Sequence, residues 1–298
     1  MYMKQIIIAV IALLLIGVGA YVLLSTGSQN EAINPTETMP VEPNNDIGDG
    51  ATPLDDLVTE ADTTDTMTFA SQTVIGSSVN GAAITAHHFG TGANEVLLIG
   101  GMHGSDAPNT SALTNELITY FTANESAVPS GMRVTVIPTV NPDGLAVGGS
   151  AGRFNANNVD LNRNFACDWA ATSMWRDQEV SGGTAAFSEP ETQAIRDYAA
   201  EVNVSGAIVW FASEGKVYPS ACGGNPSAAS TNLANTFASA ANYAVGTEFN
   251  SYQINGDMVN WMAGQGIPAI SVLLTNRTGT ELSQNQAGVT AVLELLAN

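Results

Sequence analysis

The chain has 298 residues and a formal net charge of −20, with 8 Lys and Arg against 28 Asp and Glu. That balance excludes a nucleic-acid partner, because phosphate binding needs a basic surface. The length allows one large domain with a sizeable core, preceded by segments of different character.

Residues 1–25 come first. Ile6 to Leu24 is an unbroken run of apolar and small residues, with Lys4 the charge nearest to it. Such a run has the length of a bilayer-spanning helix and is read as a transmembrane signal-anchor. A cleavable signal peptide cut near Gly19 and Ala20 is the rival reading. Lys4 on the short N-terminal side favours a cytoplasmic N-terminus and a single-pass protein whose globular domain is extracytoplasmic. Residues 26–68 follow as a linker. The stretch from Ser25 to Met67 carries ten acidic residues and no basic ones. It cannot bury enough surface to offset its ordering entropy, so it reads as a disordered, self-repelling stalk. An acidic interaction tail is the alternative. The globular domain is assigned to residues 69–298, and no internal repeat is visible in the chain.

Strand and helix patterns alternate through that domain. Ala82 to Gly90 reads as a strand and turn, with His87 and His88 as surface histidines. Val96 to Gly100 is a short buried strand bounded by glycine. Ser111 to Phe121 has helical spacing, and Arg133 to Ile137 is a strand running into Pro138. Asn141 to Gly144 is a turn. Glu189 to Glu201 reads as a helix with Ser188 as N-cap and Pro190 in the first turn. Gly206 to Phe211 is a strand, Asn232 to Ala244 and Gly256 to Ala263 are helices, Ala269 to Leu274 is a strand and Gln286 to Leu296 a closing helix. The alternation predicts an α/β fold, a mixed, mostly parallel central sheet with helices on both faces. Ligands of such folds sit beyond the C-terminal strand ends, which is where His103 falls. Cys167 and Cys222 are two cysteines in an extracytoplasmic domain and favour a disulfide over two buried thiols.

His103 and Asp106 have an H-x-x-D spacing directly after the strand at Val96. Arg153, Asn162 and Arg163 fall within eleven residues. Two guanidinium forks and an amide suit recognition of a carboxylate, and surface salt bridging, to Asp160 for instance, is the competing reading.

The pattern as a whole resembles the M14 zinc metallocarboxypeptidases. The matching blocks are the His103–Asp106 pair, N-P-D-G at Asn141 to Gly144, and the run from Arg153 through V-D-L-N-R-N-F, which ends at Phe165. Further blocks run from Phe187 to Thr192, from Val217 to Pro219, from Tyr252 to Asp257, and from Trp261 to Ile270. The resemblance implies a zinc carboxypeptidase-like fold and a set of roles. His103 and Asp106 match two zinc ligands, the second normally Glu in the family. Arg153 matches the oxyanion-stabilising arginine. Asn162 and Arg163 match the pair that holds the substrate's terminal carboxylate, and Tyr252 the tyrosine that closes over it. Val259 falls where the family selects the terminal side chain.

The same resemblance exposes two gaps. Zinc hydrolases of this kind use three protein ligands, an open position for water, and a carboxylate base. The family's third ligand is a histidine at the end of the strand that closes here at Phe211 or Ala212, and no histidine follows His103. The family's catalytic glutamate is replaced by Leu273. Glu214 is a speculative substitute ligand, and Glu281 a base that a loop could supply. Three functions compete. One is a pseudoenzyme without zinc that recognises the C-terminus of a peptide or cell-wall peptide. The second is an active zinc carboxypeptidase with a rearranged site, and the third an assembly role in which the pocket is residual.

Overall fold

A computed structural model of the chain describes residues 71–247, 249 and 251–298. The expected anchor (1–25) and acidic linker (26–68) lie outside the described residues. Among those residues, no helix is long and apolar enough to cross a membrane.

Ten strands and six helices make up the described fold. The strands are β1 (Gln72–Ser77), β2 (Ala83–Phe89), β3 (Asn94–Ile99), β4 (Met132–Ile137), β5 (Thr172–Trp175), β6 (Gln178–Ser181), β7 (Val204–Ala212), β8 (Lys216–Pro219), β9 (Ala244–Val245) and β10 (Ala269–Leu274). The helices are α1 (Pro108–Ala123), α2 (Pro142–Val147), α3 (Pro190–Glu201), α4 (Ala228–Ala241), α5 (Met258–Gly264) and α6 (Leu282–Ala297). Eight strands form one sheet in the order β1-β2-β4-β3-β7-β10-β8-β9, and β5 with β6 is a separate hairpin. The centre, β4-β3-β7-β10, is parallel. Strands β1, β2 and β8 attach antiparallel at its flanks.

The sheet is covered on both faces, and strand alternation decides which residue serves which face. In β3, Val96 and Leu98 pack with Leu113 and Phe121 of α1, Phe237 of α4 and Val292 of α6. Leu97 and Ile99 belong to the opposite cluster with Ile195 of α3 and Met258 and Trp261 of α5. Fully burying a side chain of this size contributes about 1.5–3 kcal/mol, so two-sided coverage makes the central strands apolar throughout. The Trp210 indole, wholly buried, donates to Asn285 Oδ1 at 2.7 Å and pins α6 to the sheet.

Several local expectations need correction. Asn141 to Gly144 is not a plain turn: Asn141 Oδ1 accepts from Gly144 N at 2.8 Å and caps the short helix α2. Helix α3 is capped at Glu189, not Ser188, whose hydroxyl donates to the Glu189 carboxylate. Helix α4 begins at Ala228, where Ser227 Oγ accepts from Ser230 N, and ends before Asn242, which is left-handed. Ala244 therefore lies in β9 rather than in the helix. Asp257 caps α5 by accepting from Asn260 N, so Gly256 lies outside that helix. His88 is not a surface residue. It is buried between β1 and β4, with Nε2 2.8 Å from Thr73 Oγ1 and Nδ1 2.9 Å from Thr135 Oγ1. His87 is half-buried. Strand β1, a short polar segment, covers β2 and makes the latter an inner strand.

Candidate functional site

The C-terminal ends of β3, β7 and β10 open into a cavity of about 830 Å³. His103, Arg153, Asn162, Arg163, Tyr252, Val259, Phe211, Ala212, Glu214 and Leu273 all line it, as do Trp175, Arg176 and Arg277. The residues singled out as site candidates from the sequence are thus gathered around one space, except Asp106, which sits behind the lining Arg277, and Glu281.

Glycines shape the loop that carries His103. Gly101 has φ +63°, and a Cβ there would meet the Thr139 backbone at 2.7 Å. Gly104, at φ +43°, packs against the backbones of Gly144 and Gly152, which a Cβ would meet at 2.5 Å. Only glycine permits both the turn and the close approach. His103 is 7 % exposed, and its Nε2 faces Asp160 Oδ1 at 3.4 Å without hydrogen-bond geometry. Burial, with Arg153 adding to it, lowers the His103 pKa to about 4, so the ring is neutral near pH 7.

Asp160 is completely buried and organises the site. Its Oδ2 accepts from Arg153 Nε at 2.9 Å and pairs with Nη2 at 2.8 Å, and its Oδ1 accepts from Asn162 N. Burial pushes its carboxyl up, but Arg153, His103 and Arg163 outweigh burial and hold it well below the usual range. The Arg153–Asp160 salt bridge weighed in the sequence therefore exists, but it is buried, not on the surface. Arg153 Nη1 also lies 3.6 Å from Asp106 Oδ2, and the guanidinium carbon stands 4.3 Å from the centre of the Trp175 ring.

Arg163 is 1 % exposed. Its Nε donates to Ser173 Oγ (3.1 Å), Nη1 to the Asn162 carbonyl (2.8 Å) and Nη2 to the Met174 carbonyl (3.2 Å). All three acceptors are neutral, and each terminal nitrogen keeps a second N–H. The Tyr252 ring centre lies 5.6 Å from the guanidinium carbon, and Tyr252 packs edge-on against Phe249 at 4.9 Å. Asn162 is engaged differently from its neighbour: Nδ2 donates to Asp257 Oδ2 at 2.8 Å and Oδ1 accepts from Met258 N at 3.2 Å. Burial raises the Asp257 pKa. Val259, 3 % exposed, closes the α5 side of the cavity. The Cys167–Cys222 disulfide forms, with Cα atoms 5.7 Å apart. It ties the segment after Arg163 to the loop after β8.

The positions expected to carry zinc chemistry are apolar. Phe211 rather than Ala212 packs on the loop that carries His103, its ring centre 5.6 Å from that of the histidine. Leu273 is its register partner in β10. Glu214 does not join His103 and Asp106; its carboxylate accepts from Lys216 Nζ and Tyr218 Oη, each at 2.8 Å. Glu281 does not reach the cavity either, and binds Thr275 and the Tyr243 hydroxyl. Among the described residues, no three His, Cys, Asp or Glu side chains are grouped to hold a metal ion.

Four functional candidates were not singled out from the sequence. Trp175 and Arg176 sit on the β5–β6 hairpin, which no hydrophobic run announces. Asp257 looked like part of a substrate segment, whereas it caps a helix and holds Asn162. Arg277 stands in a polar loop, but it is a lone cation among few, and that scarcity was the signal available.

The sheet order, the polar cavity at the strand ends and the His103–Asp160–Arg153 cluster define a carboxypeptidase-like α/β domain. A family model described as zinc carboxypeptidase, Peptidase M14, matches residues 54–286, and the chain belongs to that family. It is related to murein peptide amidase A of Escherichia coli K12, 35 % identical over 109 residues, 33 % of this chain. That match spans 41 % of the amidase's length. Carboxypeptidase D of Anas platyrhynchos is 38 % identical over 86 residues, 25 % of this chain and 6 % of that protein. Among solved structures, thrombin activatable fibrinolysis inhibitor superposes with TM-score 0.65 at 19 % identity, covering 76 % of this chain and 69 % of the other. Murein-tripeptide amidase MpaA from Escherichia coli O157 gives TM-score 0.57 at 21 % identity, covering 77 % and 92 %.

The family implies zinc, and the residues present do not fit it. Catalytic zinc needs three protein donors. His103 and Asp106 could supply two, but the side chain beside His103 is the Phe211 ring, which donates nothing, and Asp106 Oδ2 is already paired with Arg277 at 2.8 Å.

Proposed function

We propose that this domain captures the free C-terminal carboxylate of a peptide at Arg163 and does not cut the peptide bond. The observation that carries this reading is the state of Arg163: a buried guanidinium on the cavity wall, satisfied only by neutral oxygens and with N–H groups to spare. Asp160 and Asp257 act on Arg163 only through space, so a carboxylate entering the cavity supplies the directly hydrogen-bonded, planar, bidentate partner that the guanidinium lacks. Asn162 is braced by Asp257 next to it, Tyr252 covers the guanidinium, and Val259 meets the terminal side chain. Arg153 stands where an oxyanion would form, but it is held by Asp160 and Asp106.

Loss of hydrolysis follows from Phe211 and Leu273. Without a general base a hydrolase forfeits roughly 10²- to 10⁴-fold in rate, and without a third ligand the Lewis acid goes too. The relationship to a protein named murein peptide amidase supports a cell-wall peptide as the ligand class. The apolar stretch Ile6 to Leu24 and the acidic residues 26–68 support a membrane-anchored, single-pass protein that presents the domain outside the cytoplasm. Titration calorimetry with one peptide as free acid and as C-terminal amide tests the reading. Binding of the acid alone is expected. Equal affinity for both forms refutes carboxylate capture, and chelator-sensitive release of the terminal residue shows an active carboxypeptidase instead.

A further inference from the structure

Arg277 lies in the loop after β10, and its side chain reaches back over the strand ends. Nη1 stands 2.8 Å from Asp106 Oδ2 and donates to the Asp106 backbone carbonyl at 2.8 Å. Nη2 donates to the Ala212 carbonyl at 3.2 Å. One guanidinium thus joins the loop after β3, the end of β7 and the loop after β10. We propose that Arg277 is an internal replacement for the metal: a fixed cation that neutralises Asp106, ties the strand ends together and keeps divalent ions out.

Charge balance supports this. The centre holds two carboxylates, Asp106 at 8 % side-chain exposure and Asp160 at 0 %. Buried carboxylates need partners, since an uncompensated one is costly. Arg153 is bound to Asp160 and Arg277 to Asp106, so two positive charges meet two negative ones before any ion arrives. A divalent cation on His103 and Asp106 would displace Arg277 from Oδ2 and stand beside two guanidinium groups.

The loop around Arg277 is built to hold it. The buried Asn109, in the first turn of α1, donates through Nδ2 to the Asn276 and Gly279 carbonyls, both at 2.9 Å. Asn276 Oδ1 accepts from Thr278 N at 2.8 Å and Gly279 N at 2.7 Å. Glu281 accepts from Thr275 N at 3.0 Å on the other side. Arg277 is therefore presented from a loop braced at both ends, with its side chain 27 % exposed.

The inference rests on the metal-free reading of the site, and its test separates the two. Zinc affinity is measured on four full-length proteins: wild type, Phe211→His, Arg277→Gln and Phe211→His/Arg277→Gln. The histidine completes a three-donor set, and the glutamine removes the cation. Wild type is expected to hold no stoichiometric zinc; if it does, the metal-free reading falls. The double variant is expected to bind zinc at least about tenfold tighter than Phe211→His alone, in line with what groups around a metal ligand contribute. Equal affinity of those two overturns the role of Arg277 and leaves carboxylate capture by Arg163 untouched. A second measurement needs no metal. Arg277→Gln is expected to lower the melting temperature, and Asp106→Asn in the same chain to restore part of the loss. No loss, or a loss that Asp106→Asn deepens, overturns the proposal.

Discussion

Phe211 and Leu273 are register partners on the adjacent parallel strands β7 and β10. The two positions where the sequence resemblance leads one to expect a metal ligand and a base therefore lie side by side, and both are apolar. Both side chains line the cavity, and neither can supply the metal ligand or the proton acceptor that zinc-assisted hydrolysis needs. The expected outcome is far less than one zinc per chain by elemental analysis, and no C-terminal release that a chelator abolishes. Leu273→Glu alone restores no turnover, because the base would have no metal-bound water to act on. Stoichiometric zinc together with chelator-sensitive hydrolysis would falsify the non-catalytic reading.

Arg163→Ala removes the buried guanidinium that faces the cavity. Truncating one partner of a buried, hydrogen-bonded charge pair costs about 2–5 kcal/mol, so affinity for a free-acid peptide should drop roughly 30-fold or more, at 1.4 kcal/mol for each tenfold. Affinity for the amidated peptide should scarcely change. Arg163→Lys keeps the charge but not the fork and is expected to fall between the two. Calorimetry on both peptide forms checks this, and a parallel loss for acid and amide would point to a damaged pocket rather than a lost carboxylate contact.

The central strands and most helices were legible because two-sided burial leaves continuous apolar runs, as at Val96 to Ile99. Helix starts were legible only in part. The Ser227 cap precedes a weakly amphipathic alanine-rich segment, so the periodicity begins later than the helix does. The hairpin carrying Trp175 was not legible, since its residues are mixed in polarity and rest on one partner strand. The site residues His103, Arg153 and Arg163 were found by motif, and they do line one cavity. What motif could not supply was pairing. That Asp160 binds Arg153, and that Arg277 crosses to Asp106 from 171 residues away, depends on sheet order rather than on local spacing.

The Cys167–Cys222 bridge spans 55 residues and joins two walls of the cavity. For a loop of that size, closure entropy of the unfolded chain predicts about 4 kcal/mol of stabilisation, and measured values typically reach 2–4 kcal/mol. Cys167→Ser/Cys222→Ser should therefore unfold at markedly lower denaturant with little change in its starting circular dichroism. Reduction of the wild-type chain should reproduce the shift. A midpoint that does not move on either treatment would contradict the assignment of this bridge as a stabilising element.

Stability should fall with acid in two windows. Burial, reinforced by Arg153, sets the His103 pKa at about 4, against 6.5 for an unperturbed histidine. Between those values the unfolded chain binds a proton that the folded chain does not, so stability rises with pH across the window and is lost as pH drops from about 6.5 to 4. At 1.36 kcal/mol per unit the loss is at most roughly 3 kcal/mol. Asp160 acts lower down. Its carboxyl is held well below the usual range, so its contribution is present above its unfolded value of 3.8 and disappears only beneath it. Glu191 and Asp257, both raised by burial, work in the opposite sense. They do so equally in wild type and in a His103→Gln variant. The difference in unfolding free energy between these two proteins, measured by urea titration from pH 7 to pH 4, therefore isolates His103. It should shift in the variant's favour as pH falls, and a difference independent of pH would show that folding does not lower the His103 pKa.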